Sequence, residues 1–141
     1  MNDPTSFNKA KNITVHRVPD RARLRMLPQF FGSRMMRVES LVYDRMSEFV
    51  ESYDGGYWEF YQLSNGGFYM APQMPEVQVV VAGNGFEGML SADAAGITVC
   101  LFTYGHLAFE VEGDLFARHF DWLRAFALEH TEALQILAAI D

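Results

Sequence analysis

An Asn-Gly dipeptide set between two aromatic runs constrains this chain more than any other feature. Residues Tyr53 to Pro72 read Tyr-Asp-Gly-Gly-Tyr-Trp-Glu-Phe-Tyr-Gln-Leu-Ser-Asn-Gly-Gly-Phe-Tyr-Met-Ala-Pro. Asn65-Gly66 tolerates the positive φ values of a type I′ turn, and the flanking residues have the aromatic character of strands, so the stretch predicts a β-hairpin. With Asn65 and Gly66 as the two turn residues, Leu63 faces Phe68, Gln62 faces Tyr69 and Tyr61 faces Met70. Neither face of this ribbon is polar. One face must pack on a core, and the other must be covered or stay adhesive.

The remaining elements follow from period and punctuation. Ile13-Thr14-Val15 suits a short extended piece, and Pro19 suits the first turn of a short helix that Pro28 is expected to stop. From Met35 to Tyr53, Val38, Leu41, Val42, Met46, Phe49, Val50 and Tyr53 recur at three- and four-residue intervals, the stripe of an amphipathic helix. Asp54-Gly55-Gly56 ends it. Val77 to Val81 is short and β-branched, which predicts a third strand extending the ribbon into an antiparallel meander. Gly83-Asn84-Gly85 then reads as a turn. It lacks the Lys of a Walker loop and the βαβ context of a dinucleotide loop. Ser91 is a suitable N-cap for a helix reaching Phe109 that is apolar on every side, the pattern of a central helix. Gly96 costs about 1 kcal/mol relative to Ala inside it, so close approach of a neighbouring backbone, that of the hairpin, is expected there. Gly113-Asp114 opens a further helix to about Glu129, in which Arg118 and Arg124 each lie three residues from Asp121. Thr131 is expected to cap a last short helix. The result is an α+β fold: about three strands in a meander with four to five helices, in one domain over residues 13–141. Residues 1–12 are polar and aperiodic and read as a disordered tail.

A chain of 141 residues is long enough for one core without disulfides or metal. Its single cysteine, Cys100, allows no internal disulfide and fits a reducing cytoplasm, and the first residues carry no secretory signal. The apolar run Ala92–Phe109 is interrupted by Asp93, Gly96, Thr103, Gly105 and His106, so it reads as a buried helix and not a membrane span. The net charge of −7 hides an asymmetry. Residues 1–45 hold nine Lys/Arg against four Asp/Glu, a balance of +5, while residues 46–141 hold two against fourteen, a balance of −12. Arg17, Arg21, Arg23 and Arg25 crowd one segment without the aromatic interleaving of a nucleic-acid module, so pairing with the acidic remainder is the preferred reading.

Catalytic constellations do not emerge. His16, His106, His119 and His130 contain no pair at the i, i+4 spacing of a zinc helix, and no Gly-x-Ser-x-Gly elbow is present. Cys100 sits mid-helix without a cationic neighbour to activate it. No cofactor or metal is expected, and the chain is read as a non-enzyme.

Two runs carry a resemblance: Gly55-Gly56-Tyr57-Trp58-Glu59-Phe60-Tyr61, and Leu63-Ser64-Asn65-Gly66-Gly67-Phe68-Tyr69-Met70-Ala71-Pro72. With Ser91-Ala92-Asp93-Ala94-Ala95-Gly96-Ile97, Leu123-Arg124, His130, Glu132 and Ala139-Ile140-Asp141, they resemble the antirestriction proteins of the ArdB/KlcA type over roughly Pro28 to Asp141. The resemblance implies an inhibitor of type I restriction-modification enzymes that protects incoming plasmid or mobile DNA. On physical grounds, the candidate contact surface is an acidic and aromatic patch of Glu48, Glu51, Asp54, Trp58, Glu59, Tyr69 and Asp141. Stable DNA binding and membrane association are not expected, and a monomer is slightly favoured. Two further readings are a nucleic-acid-binding module using the basic N-terminal segment and a small hydrolase with a site assembled in three dimensions.

Overall fold

A computed structural model describes residues 12–141; the expected tail lies outside the described residues apart from Asn12. In chain order the elements are β1 (Val15–Arg17), α1 (Arg23–Phe31), α2 (Met35–Phe49), β2 (Trp58–Leu63), β3 (Phe68–Pro72), β4 (Val77–Val81), β5 (Phe86–Leu90), α3 (Ala92–Glu110), α4 (Leu115–Leu128) and α5 (Ala133–Ile140). This is an α+β fold, with short 3-10 turns before α1 and α2.

The aromatic hairpin forms, but its register is shifted by one residue. Tyr61 pairs with Tyr69 and Phe60 with Met70, because the loop is three residues long, Ser64-Asn65-Gly66, and Leu63 accepts from Gly66 N–H while donating to Gly67. Only Gly66 takes positive φ, at 108°. The Asn65 side chain accepts from Gly67 N–H at 3.1 Å and donates to the Trp122 carbonyl at 2.9 Å. Asn65 therefore builds a side-chain turn that pins the hairpin tip to α4, instead of supplying a left-handed backbone.

A three-stranded antiparallel sheet forms, but Val77–Val81 is not its third strand. The sheet order is β1-β2-β3, so β1 supplies the third strand on the far side of β2, while β4 pairs antiparallel with β5 in a separate two-stranded ribbon. Pro28 lies inside α1 and does not stop it; the helix ends at Gly32, whose φ of 54° breaks the repeat. The α2 helix ends at Phe49, short of Tyr53, with Val50 extended. Thr131 does not cap α5, whose N-cap position is Glu132 and carries no side-chain cap bond. Arg118 pairs with Asp114 at 3.6 Å in place of Asp121.

The α3 helix is the axis of the molecule. It packs against β3, α2, α4 and α5, with Ala94, Ile97, Leu101, Tyr104 and Leu107 sealed from solvent. Ile97, Leu101 and Leu107 each contribute about 1.5–3 kcal/mol of burial. Ser91 caps it as expected, its Oγ accepting from Ala94 N–H at 3.1 Å. Gly96 meets the hairpin as expected: a Cβ there would lie 2.5 Å from the Met70 carbonyl oxygen and 2.5 Å from Ala71 Cβ. Cys100 is buried in the same helix, and burial pushes its thiol up to about 12. Among the described residues, no helix is long and apolar enough to cross a membrane.

Candidate interaction surface

Where α2 gives way to a turn, the chain carries Glu48 and Glu51 out over β4. With Ser47, Ser52, Gln78 and Val80 they line a groove of about 710 Å³. One wall is the last turn of a helix and the turn beyond it. The other is the outward face of β4, because strand alternation sends Val77, Val79 and Val81 inward and leaves Gln78 and Val80 exposed. Glu48 bonds Arg45 at 3.1 Å, yet its side chain remains 58% exposed. Asp54 is exposed further along the same turn.

The expected patch therefore divides. Trp58 is only 3% exposed and Tyr69 only 1%, so neither presents a surface to a partner. The hairpin uses both inward. Trp58 Nε1 donates to Tyr53 Oη at 3.0 Å, and the Tyr69 ring stacks on Tyr61 with centroids 4.8 Å apart. Glu59 is engaged by Arg17 at 3.3 Å and by Gln73 at 2.6 Å. Asp141 is exposed but belongs to a different groove, with Phe120, Arg124 and Leu137. The arginines behave as internal partners in two cases. Arg17 meets Glu59, and the Arg23 guanidinium lies 4.5 Å from the Tyr57 ring centroid and 4.1 Å from that of Phe60.

A second cluster was not legible in the sequence as a unit. Tyr69 Oη donates to Asp93 Oδ1 at 2.7 Å, and the other Asp93 oxygen accepts from His130 Nε2 at 2.9 Å. His130 Nδ1 accepts from Glu132 N–H at 3.0 Å. Glu132 in turn receives Ser91 N–H at 2.9 Å and Ser91 Oγ–H at 2.5 Å. Burial and the adjoining Asp93 push the Tyr69 phenol well above its ordinary value. Asp93 also draws His130 upward, with partial burial opposing it. The cluster contains Ser, His and carboxylates, but both ring nitrogens of His130 are occupied, one by a carboxylate and one by a backbone N–H. In this arrangement no lone pair is free to take the Ser91 proton, so the serine is not an activated nucleophile. Mechanically the cluster clasps the start of α5 to the start of α3. Sequence separations of 37 and 41 residues carry no spacing signal, although the resemblance had picked out the same residues singly.

The family model for antirestriction proteins matches residues 51–141. Antirestriction protein KlcA of Escherichia coli is 47% identical over 135 residues, covering 92% of this chain and 95% of its own. The uncharacterized protein YafX of Escherichia coli strain K12 is 40% identical over 134 residues, covering 92% and 88%. A solved structure aligns with TM-score 0.86 at 47% identity, over 92% of this chain and 96% of its own; the work describing it reports that KlcA and ArdB show a novel fold and antirestriction activity against type I DNA restriction systems in vivo but not in vitro. With sequence and fold shared across nearly the full length of these relatives, the chain belongs to the antirestriction protein family.

Proposed function

We propose that this protein protects incoming plasmid or mobile DNA by inhibiting type I restriction-modification enzymes, and that it does so by occupying a protein surface without bond-making chemistry. The observation that carries this reading is the full-length likeness, in sequence and fold, to KlcA. The saturated hydrogen bonding of His130 supports the non-catalytic part of it.

Size argues for docking at a limited patch over wholesale imitation of DNA. A compact chain of this length has a radius of gyration of about 14 Å, while duplex DNA carries a charge for every ~1.7 Å of its axis. One such globule covers roughly a turn of duplex and cannot fill an extended DNA track. Glu48, Glu51 and Asp54 form the proposed contact, with Asp141 as a separate exposed carboxylate. The engagement of Arg17 and Arg23 within the fold supports this reading over DNA binding through the N-terminal segment.

The test belongs in restricting cells, where the related proteins act. Plating efficiency of unmodified phage is expected to rise when the protein is expressed, and to return toward the unprotected level in the folded triple variant E48K/E51K/D54K. Full protection by that variant would remove the patch. No protection by the unaltered protein at good expression would remove the function.

A further inference from the structure

The ribbon formed by β4 and β5 has only two strands. Each strand therefore has one edge that no other strand of the described residues pairs. β5 adjoins α5, while β4 adjoins α2, the side on which the groove opens. An unpaired strand edge is a template for another extended segment. Natural sheets often blunt such an edge with lysine or proline, and Val77-Gln78-Val79-Val80-Val81 contains neither.

The chemistry around that edge has one sign. Glu48 and Glu51 form one wall, and Glu87 stands directly across from Val80 on the outward face. Among the described residues, Arg45 is the one cation bonded to any of these three carboxylates, through Glu48. Between the charges, Val80 is 40% exposed and Met89 48% exposed, an apolar strip on the outside of the ribbon.

We infer that this groove accepts an extended, lysine- or arginine-bearing segment of a partner protein, added beside β4 as a further strand. Main-chain hydrogen bonds to β4 would supply affinity. With a side-chain period of two, every second residue would point to the face that Gln78 and Val80 share with the groove, where basic side chains meet Glu48 and Glu51 and their stems cover Val80. The carboxylates would speed encounter and reject acidic competitors, nucleic acid included. The inference refines the docking contact proposed above and rests on that reading for its biological partner, but the chemistry of the groove is testable alone.

The probe is a short acetylated peptide of alternating lysine and threonine, titrated into nitrogen-15-labelled protein and followed by amide chemical shifts. Its controls are the glutamate-threonine counterpart and a version with proline at alternate positions, which cannot complete a ladder. Saturable shifts confined to Val77–Val81 and Glu48–Ser52 are expected with the lysine peptide alone. They are expected to weaken about tenfold or more in E48K/E51K, and in Q78K, which places a like charge on the opposite wall. All three substituted side chains are exposed, so both variants should keep the amide spectrum of a folded protein. Absence of saturation, equal binding of the glutamate or proline peptide, shifts elsewhere, or unchanged affinity in both variants would overturn the inference. Peptide binding beside undiminished protection by E48K/E51K would keep the groove and remove its role in antirestriction. Loss of protection without peptide binding would do the reverse.

Discussion

Gly96 and Ala71 touch backbone to backbone: a β-carbon built on Gly96 falls 2.6 Å from Ala71 Cα and 2.5 Å from the Met70 carbonyl oxygen. The obstacles are main-chain atoms of β3, which cannot rotate aside. Gly96→Ala would gain about 1 kcal/mol of helix propensity and lose more to overpacking, for which ~1–3 kcal/mol is typical where side chains yield. We expect a net loss of about 2 kcal/mol or more, read as a lower urea midpoint with unchanged slope. A more stable G96A protein would show that α3 and the hairpin are not in contact.

His119 should make the protein sensitive to mild acid. It is buried among Phe30, Phe31, Tyr104 and Trp122, and its Nδ1 has no partner among the described residues. Burial pulls its pKa down to about 4, with a hydrogen bond to the Phe30 backbone working the other way. Because the folded value is depressed, the unfolded chain binds the proton first. The contribution of His119 is complete above the unfolded pKa of about 6.5 and falls by ~1.4 kcal/mol per pH unit as pH drops toward 4. Urea midpoints measured across that window should slope downward in the unaltered protein and flatten in H119F.

Asp93 is the hub of the clasp between α3 and α5. Asp93→Ala would leave the sealed Tyr69 hydroxyl and the His130 ring nitrogen without their acceptor, at a cost of about 2–3 kcal/mol. Amides at the start of α5 should then exchange with solvent faster than those in the middle of α3. Uniform exchange with unchanged stability would mean that the clasp contributes nothing to the fold.

Cys100 should be silent to thiol reagents in the folded state. Its Sγ lies 3.7 Å from the Met70 carbonyl, and with the thiol held near 12 almost no thiolate exists at pH 8. Iodoacetamide should label it only after denaturant opens the core. Rapid labelling of native protein would place the residue outside the interior.

The parts of this fold that were legible in the sequence are those where one local pattern had one physical solution. The stripe from Val38 to Phe49 had to be a helix face, and the all-round apolar character near Ile97 had to be a central helix. The glycine at position 96 had to mark a close approach. What escaped were choices between partners. Asn65 could serve the turn through its backbone or its side chain, and its hydrogen bond to Trp122, 57 residues away, decided the register. Phe86-Glu87-Gly88-Met89-Leu90 carries Gly88 and a charge within five residues, so the strand that captures β4 gives little signal of its own. Trp58 and Tyr69 are aromatic residues of a kind common at interfaces, and only the packing of Trp58 on Tyr43 and Tyr53 and of Tyr69 on Phe126 and Asp93 shows that they are interior. That Glu48 and Glu51 are exposed carboxylates follows from helix period and charge, which both survive in one dimension. Gln78 and Val80, which complete their groove, carried no comparable signal.

Asn84 joins two distant parts of the molecule with one amide. Its oxygen accepts from Phe86 N–H at 2.9 Å, and its nitrogen donates to the Ala139 carbonyl at 2.7 Å. The tip of the β4–β5 ribbon and the last turn of the chain are thereby fastened together. Strain applied to the end of α5 is therefore felt at the ribbon tip, and N84A should loosen both together.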